Sequence, residues 1–169
     1  MTALVFVDTS ILVYARDTAN DHKRQAAFES LQKLWVQRTG RTSIQVLGEC
    51  YATITRKLRP RMHADIAWDY VSVLNAWNPL PIDQEVMERA RTIERRYQTN
   101  WWDATIVAAA QQQNCKVLLS EDFQDGMNFD QLVVRNPFAD QVRESQADYH
   151  TSVVARPRHR PRGRPSRVA

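Results

Sequence analysis

Short apolar runs, each closed by a polar residue and separated from the next by a longer segment of helical spacing, constrain this chain most. The first run, Leu4-Val5-Phe6-Val7, stops at Asp8. It reads as a buried strand, although periodicity alone leaves a helix open. Thr42-Ser43-Ile44, Leu80 to Ile82 beside Pro79 and Pro81, Lys116 to Ser120, and Leu132-Val133-Val134 read as further short strands. Asp8-Thr9-Ser10 offers cap chemistry for a helix containing Ile11, Leu12 and Tyr14. Helical spacing also runs from Asp21 to Arg38, with Gly40 expected to end it, and from Gln45 to Leu58, closed by Pro60. Met62 to Trp77 follows, with Ile66, Tyr70, Val73 and Leu74 on its apolar stripe. Asp83 caps a helix from about 84 to 97, and Asn100 precedes another from Trp101 to Gln113. That last segment is small and apolar on most sides, which suits a helix packed against a sheet. Strands alternating with helices imply βα units and a parallel sheet covered by helices on both faces, an α/β/α arrangement of four to five short strands.

Sites in such folds form outside the carboxyl ends of the strands. Asp8 directly follows the first strand, and Asp122 follows the strand ending near Ser120. Asp103 lies in the first turn of its helix and Glu49 near the start of another, and such helix ends point toward the same edge of the sheet. Carboxylates from four distant segments can therefore converge. Two like charges about 4 Å apart repel by about 4 kcal/mol at an effective dielectric near 20. Such a group either raises its pKa values or recruits a cation. Mg²⁺ or Mn²⁺, which prefers carboxylate and water oxygens, resolves the conflict and brings the chemistry of phosphodiester hydrolysis. Taken singly, each acid is equally a solvated surface residue or a helix cap. Glu121 and Asp125 compete with Asp122. Neighbours on a strand face opposite ways, and the Ser-x-Asp pattern from Ser120 favours Asp122.

The ordered motifs resemble the PIN-domain ribonucleases, and within them the VapC-type toxins of bacterial toxin–antitoxin pairs. The pieces that carry the resemblance are Val7-Asp8-Thr9-Ser10-Ile11-Leu12, Glu49, Trp102-Asp103-Ala104 with its alanine-rich continuation, Leu118-Leu119-Ser120-Glu121-Asp122-Phe123, and Val134-Arg135-Asn136-Pro137-Phe138. Together they span about residues 3–138. The resemblance implies a metal-dependent endoribonuclease in which Asp8 and Asp103 are the principal metal ligands. Glu49 and Asp122 then complete the acidic pocket and orient the attacking water, while Thr9 or Ser10, and Ser120, hydrogen-bond within the site. It also implies an RNA substrate, a homodimer, and a cognate antitoxin that inserts a segment, often with Arg, over the acidic pocket. A PIN nuclease of RNA processing would lack that antitoxin, and a small reading frame just upstream would separate the two. A phosphoacceptor domain using Asp8 fits poorly. A dehalogenase-type phosphatase wants a second Asp where Ser10 stands, and a receiver domain wants adjacent acids at the end of the first strand.

Charge divides the chain unevenly. Residues 141–169 hold seven arginines against Glu144 and Asp148, a net +5, while residues 1–140 carry 16 basic and 17 acidic groups, a net −1. A nuclease domain over 1–140 is thus expected to precede an Arg/Pro-rich, disordered tail over 141–169, read as a non-specific RNA-binding arm. The family pattern stops near Asn136-Pro137-Phe138 and does not account for this tail. Arg56, Lys57, Arg59 and Arg61 form a second basic cluster. No apolar run approaches the roughly 18 residues a membrane span needs, and the start of the chain lacks the pattern of a signal peptide, so a cytoplasmic, membrane-free protein is expected. Cys50 and Cys115 are expected as reduced, partly buried thiols. Of the five tryptophans, most are expected in the core or an interface, and Trp101 and Trp102, which abut Asp103, are candidates for stacking on bases. The four histidines have no partner spacing.

Overall fold

The computed structural model describes residues 2–139. The Arg/Pro-rich segment expected at 141–169 lies outside the described residues. β1 (Val5–Val7) leads through α1 (Thr9–Tyr14) and α2 (Asp21–Gln37) to β2 (Gly40–Arg41). Then come α3 (Ile44–Arg56), α4 (Ala64–Val73) running into a 3₁₀ turn at Leu74–Trp77, α5 (Gln84–Tyr97) and α6 (Trp101–Gln112). β3 (Val117–Leu119), β4 (Asn128–Phe129) and β5 (Leu132–Arg135) close the chain. The five strands form one sheet in the order β2-β1-β3-β5-β4. The α/β class and the central sheet are as expected. Helices α1 to α4 pack among themselves, and α5 packs against α6. Among the described residues, no helix is long and apolar enough to cross a membrane.

β1 and β3 are interior strands, paired in parallel with Val7 opposite Leu119. The chain leaves β1 on one side to make β2 and returns on the other side to make β3, so the order of strands reverses between them. A crevice forms at such a reversal, outside the strands' carboxyl ends. Here the residues at those ends are Asp8 and Ser120.

The expected second and third strands do not form as such. Ser43 is drawn instead into capping α3, its Oγ accepting the Val46 N–H at 3.3 Å, so the helix begins at Ile44. Regular pairing with β1 stops at Arg41, and Ser43 and Leu80 make only an isolated parallel bridge. The Thr42 carbonyl accepts the Leu80 N–H at 3.0 Å and the Gln113 amide at 2.7 Å. β4 was not anticipated. It returns antiparallel on β5 through a two-residue turn with Asp130 at positive φ, and it buries Phe129 completely. Asp130-Gln131 lacks the Asn-Gly or Asp-Gly signature that announces such a turn.

Two helix readings also change. α2 ends at Arg38, which adopts the left-handed conformation, rather than at Gly40. Gly40 lies in β2 instead, and the Trp77 indole covers it so closely that a Cβ there would sit 2.4 Å from Trp77 Cε2. On α4, Ala67 and Val71 are buried while Ile66 and Val73 are exposed. With Phe28, Leu31, Trp35 and Tyr70, the exposed Ile66 and Val73 line an apolar groove of about 480 Å³ between α2 and α4. Trp77 is the one tryptophan in the core, its ring tilted at 43° to that of Trp35 with centroids 6.0 Å apart, and Trp68 and Trp102 are largely exposed. Both cysteines are buried and unpaired, and burial pushes each thiol up to about 12, which leaves them unreactive at neutral pH.

Gly40→Ala is expected to lower stability by about 1–3 kcal/mol, since a buried indole must move to admit one methyl group. Urea unfolding checks this through a lower midpoint at an unchanged slope. A midpoint equal to that of the parent would show that Trp77 shifts without cost.

Candidate active site

The carboxyl edge of β1 and β3 opens into a cleft of about 320 Å³. Asp8, Glu49, Asp103 and Asp122 all line it, together with Thr9, Ser10, Tyr14, Trp102 and Glu121. All four acids singled out in the sequence therefore reach one cleft. Among the described residues, no Lys or Arg lines it.

Asp8 is set deepest, at 5% exposure. Its backbone N–H donates to the Leu119 carbonyl at 3.0 Å, one step beyond the last paired residue of β1. Its side chain caps α1, accepting the Thr9 N–H at 2.6 Å. The other carboxylate oxygen accepts the Ser120 hydroxyl at 2.6 Å, and Ser120 itself is fully buried. Burial raises the Asp8 pKa from 3.8 to about 7. The bonds from Ser120 and Thr9 oppose the rise, and the charges of Asp122 and Glu49 add to it.

Each remaining acid has its own anchor. Asp103 sits in the first turn of α6, where Asn100 grips it twice. The Asn100 side-chain oxygen accepts the Asp103 N–H at 2.9 Å, and its amide donates to the Asp103 carboxylate at 2.5 Å. Glu49 accepts from the Thr9 hydroxyl at 3.1 Å and from the Gln45 amide one turn earlier at 2.9 Å. Asp122 is placed through its backbone, whose N–H donates to Ser120 Oγ at 3.1 Å. Burial raises the Asp103 carboxyl above its ordinary value against the bond from Asn100, with Glu49 adding to the rise. Asp122 is also raised, by burial first and then by Glu121, Asp103 and Glu49, with Lys23 opposing. Asp8, Asp103 and Asp122 thus each feel the charge of at least one other acid of the cleft.

The structure separates the three acids of the loop after β3. Asp122 faces the cleft. Asp125 turns away and accepts the Asn136 N–H at 2.9 Å. Glu121 lies at the rim, paired with Lys23, with its own N–H donating to Ser10 Oγ at 3.2 Å. Sequence reasoning missed Asn100, Gln45 and Lys23 as parts of the site. The first two carry a readable signal, an amide three residues before Asp103 and another four before Glu49, both spacings that meet on one helix face.

A PIN-domain model matches residues 5–125 of this chain. The chain belongs to the PIN-domain family. Among solved structures, the PIN fold here is similar to that of Mycobacterium tuberculosis VapC20, described as a sarcin-ricin loop cleaving toxin. That likeness has a TM-score of 0.53 at 23% identity, and covers 68% of this chain and 86% of the other. No curated protein matches the chain in sequence.

Among the described residues, no three His, Cys, Asp or Glu side chains form a ready-made metal cage. The donor set is nonetheless all oxygen, crowded and negative, with its buried member pushed toward the neutral form. That suits a hard divalent ion which keeps several waters and takes only one or two carboxylates from the protein.

The raised Asp8 pKa has a measurable consequence in the metal-free protein. Between about pH 4 and 7 the folded chain holds a proton on Asp8 that the unfolded chain releases, so stability falls as pH rises through that window. Asp8→Asn keeps a neutral group of the same shape. In EDTA, the melting temperature of the parent is expected to fall more steeply from pH 5 to pH 8 than that of Asp8→Asn, by about 2–4 °C for each kcal/mol involved. Parallel pH profiles would show that Asp8 is ionised throughout.

Proposed function

We propose that this chain is a metal-dependent endoribonuclease that hydrolyses RNA phosphodiesters at the four-carboxylate cleft, and that it is the toxin of a toxin–antitoxin pair. The observation that carries the reading is the convergence of Asp8, Glu49, Asp103 and Asp122 on one cleft of a PIN-domain chain. Asp8 and Asp103 would hold Mg²⁺ or Mn²⁺, each already oriented by a neighbour, Ser120 for the first and Asn100 for the second. When bound, the ion offsets the crowded charge, polarises a phosphoryl oxygen and makes a water more acidic.

The chain's own residues do the rest. Glu49 and Asp122 are the more exposed acids, and in this reading they take a proton from the attacking water. The water oxygen bonds to phosphorus, the ester P–O bond breaks, and the departing oxygen takes up a proton from solvent. Hydrogen bonds from Thr9 and Gln45 hold the Glu49 carboxylate still during this exchange. Trp102, 63% exposed beside Asp103, offers an apolar plane on which a base next to the cleaved bond can stack. VapC20 is described as a toxin that cleaves the sarcin-ricin loop. By analogy we assign this chain an RNA substrate and a cognate antitoxin, whose basic segment would meet the negative cleft.

Asp8→Asn and Asp103→Asn are each expected to abolish metal-dependent RNA cleavage while far-UV circular dichroism stays unchanged. Cleavage at the parental rate by either variant, freed of contaminating nuclease, would remove the proposed site. Trp102→Ala is expected to raise KM for RNA by the equivalent of about 1–3 kcal/mol with kcat little altered, and Trp102→Phe to retain the parental value. An unchanged KM for the alanine variant would place Trp102 outside the RNA path. Co-expression with the gene immediately upstream tests the toxin assignment, since growth arrest without rescue would favour an RNA-processing enzyme.

A further inference from the structure

The cleft wall contains a charge clamp that the four acids do not account for. Lys23 lies in the first turn of α2, and its ammonium donates to Glu121 and, at 3.2 Å, to the Tyr14 hydroxyl. It sits over the Tyr14 ring at 4.5 Å and the Phe138 ring at 5.3 Å, two rings that meet edge to face at 5.2 Å. Lys23 and Glu121 are only 24% and 26% exposed, so water screens the pair less than an open surface pair. Glu121 and Tyr14 line the cleft, whereas Lys23 does not, so its charge acts from behind that wall.

This arrangement answers a problem set by adjacent acids. Glu121 and Asp122 sit side by side in one short loop, at the rim of a cleft that already holds Asp8, Glu49 and Asp103. A free Glu121 would add a further negative charge where an RNA phosphate must enter, and would compete with Asp122 for whatever cation gathers there. Both aromatic rings hold the lysine ammonium, and the Ser10 hydroxyl fixes the Glu121 backbone.

We propose that Lys23 is a positioning residue: it withholds the Glu121 carboxylate from the cleft, so that Asp122 alone serves from this loop. The inference rests on the nuclease reading above. It differs from a structural salt bridge in one respect, that the damage from losing Lys23 comes from the freed carboxylate and disappears when that carboxylate is neutralised.

The test compares the full-length parent with Lys23→Met, Lys23→Arg and the double variant Lys23→Met/Glu121→Gln, measuring RNA cleavage and, by electron paramagnetic resonance, Mn²⁺ binding without RNA. Lys23→Met is expected to lose about tenfold in kcat/KM and to bind Mn²⁺ at least about threefold more tightly, because one more carboxylate is available. The double variant is expected to return both quantities to within about threefold of the parent, and Lys23→Arg to keep them. Lys23→Met matching an active parent in both readouts, or a double variant as impaired as Lys23→Met, overturns the clamp and leaves the nuclease reading standing. A parent that neither binds Mn²⁺ nor cleaves RNA overturns both.

Discussion

A single carboxyl group, that of Asp8, is held almost out of water at the point where two interior strands end together, and the rest of the site is arranged around that constraint. The register of β1 on β3 brings Ser120 beside Asp8, so one hydroxyl bond closes the seam between strands whose sequences lie more than a hundred residues apart. The same side chain starts α1. Were the register shifted by one residue, Asp8 and Ser120 would point to opposite faces and the hydroxyl bond would not form. Strand pairing, helix initiation and the deepest acid of the cleft are thus one structural event.

The electrostatics of the cleft rest on neutral donors. Two amides, two hydroxyls and one backbone N–H hold three acids, and among the described residues no cationic side chain lines the space between them. Neutral donors orient a carboxylate without cancelling its charge, which is what a cation-binding pocket requires. Had arginines filled these places, the acids would be equally well ordered but already paired. Lys23 is paired with Glu121 behind the wall. Aiming fixed dipoles at the acids also means that little has to reorganise when charge arrives.

Much of this was legible in the chain, and what was not has physical causes. β1, β3 and β5 announced themselves as apolar runs, and the caps at Asp8, Asp83 and Asn100 were readable from residue type. The four acids followed from their places at strand and helix ends. β2 and the bridge at Leu80 were misplaced because Ser43 can serve either as a strand residue or as a cap, and the structure uses it as a cap. β4 is two residues long and has no period to detect. On α4, an apolar residue on either side of the helix looks alike in sequence, and only the packing shows that Ala67 and Val71, not Ile66 and Val73, face inward. Lys23 escaped notice because its partner Glu121 is distant along the chain and neither residue is unusual alone.

The fold's preference for an uncharged group at position 8 bears on how such an activity is lost by mutation. A lesion in the core removes the protein altogether. On the proposed reading, exchange of Asp8 for its neutral isostere would remove the chemistry without disturbing the buried position, and so would leave a well-folded chain with an unaltered surface. On the toxin reading, cells that escape the activity then divide into those that no longer make the protein and those that make it in quantity, inert. The second class still presents every other surface of the active protein, and so still draws on the supply of whatever partner restrains it.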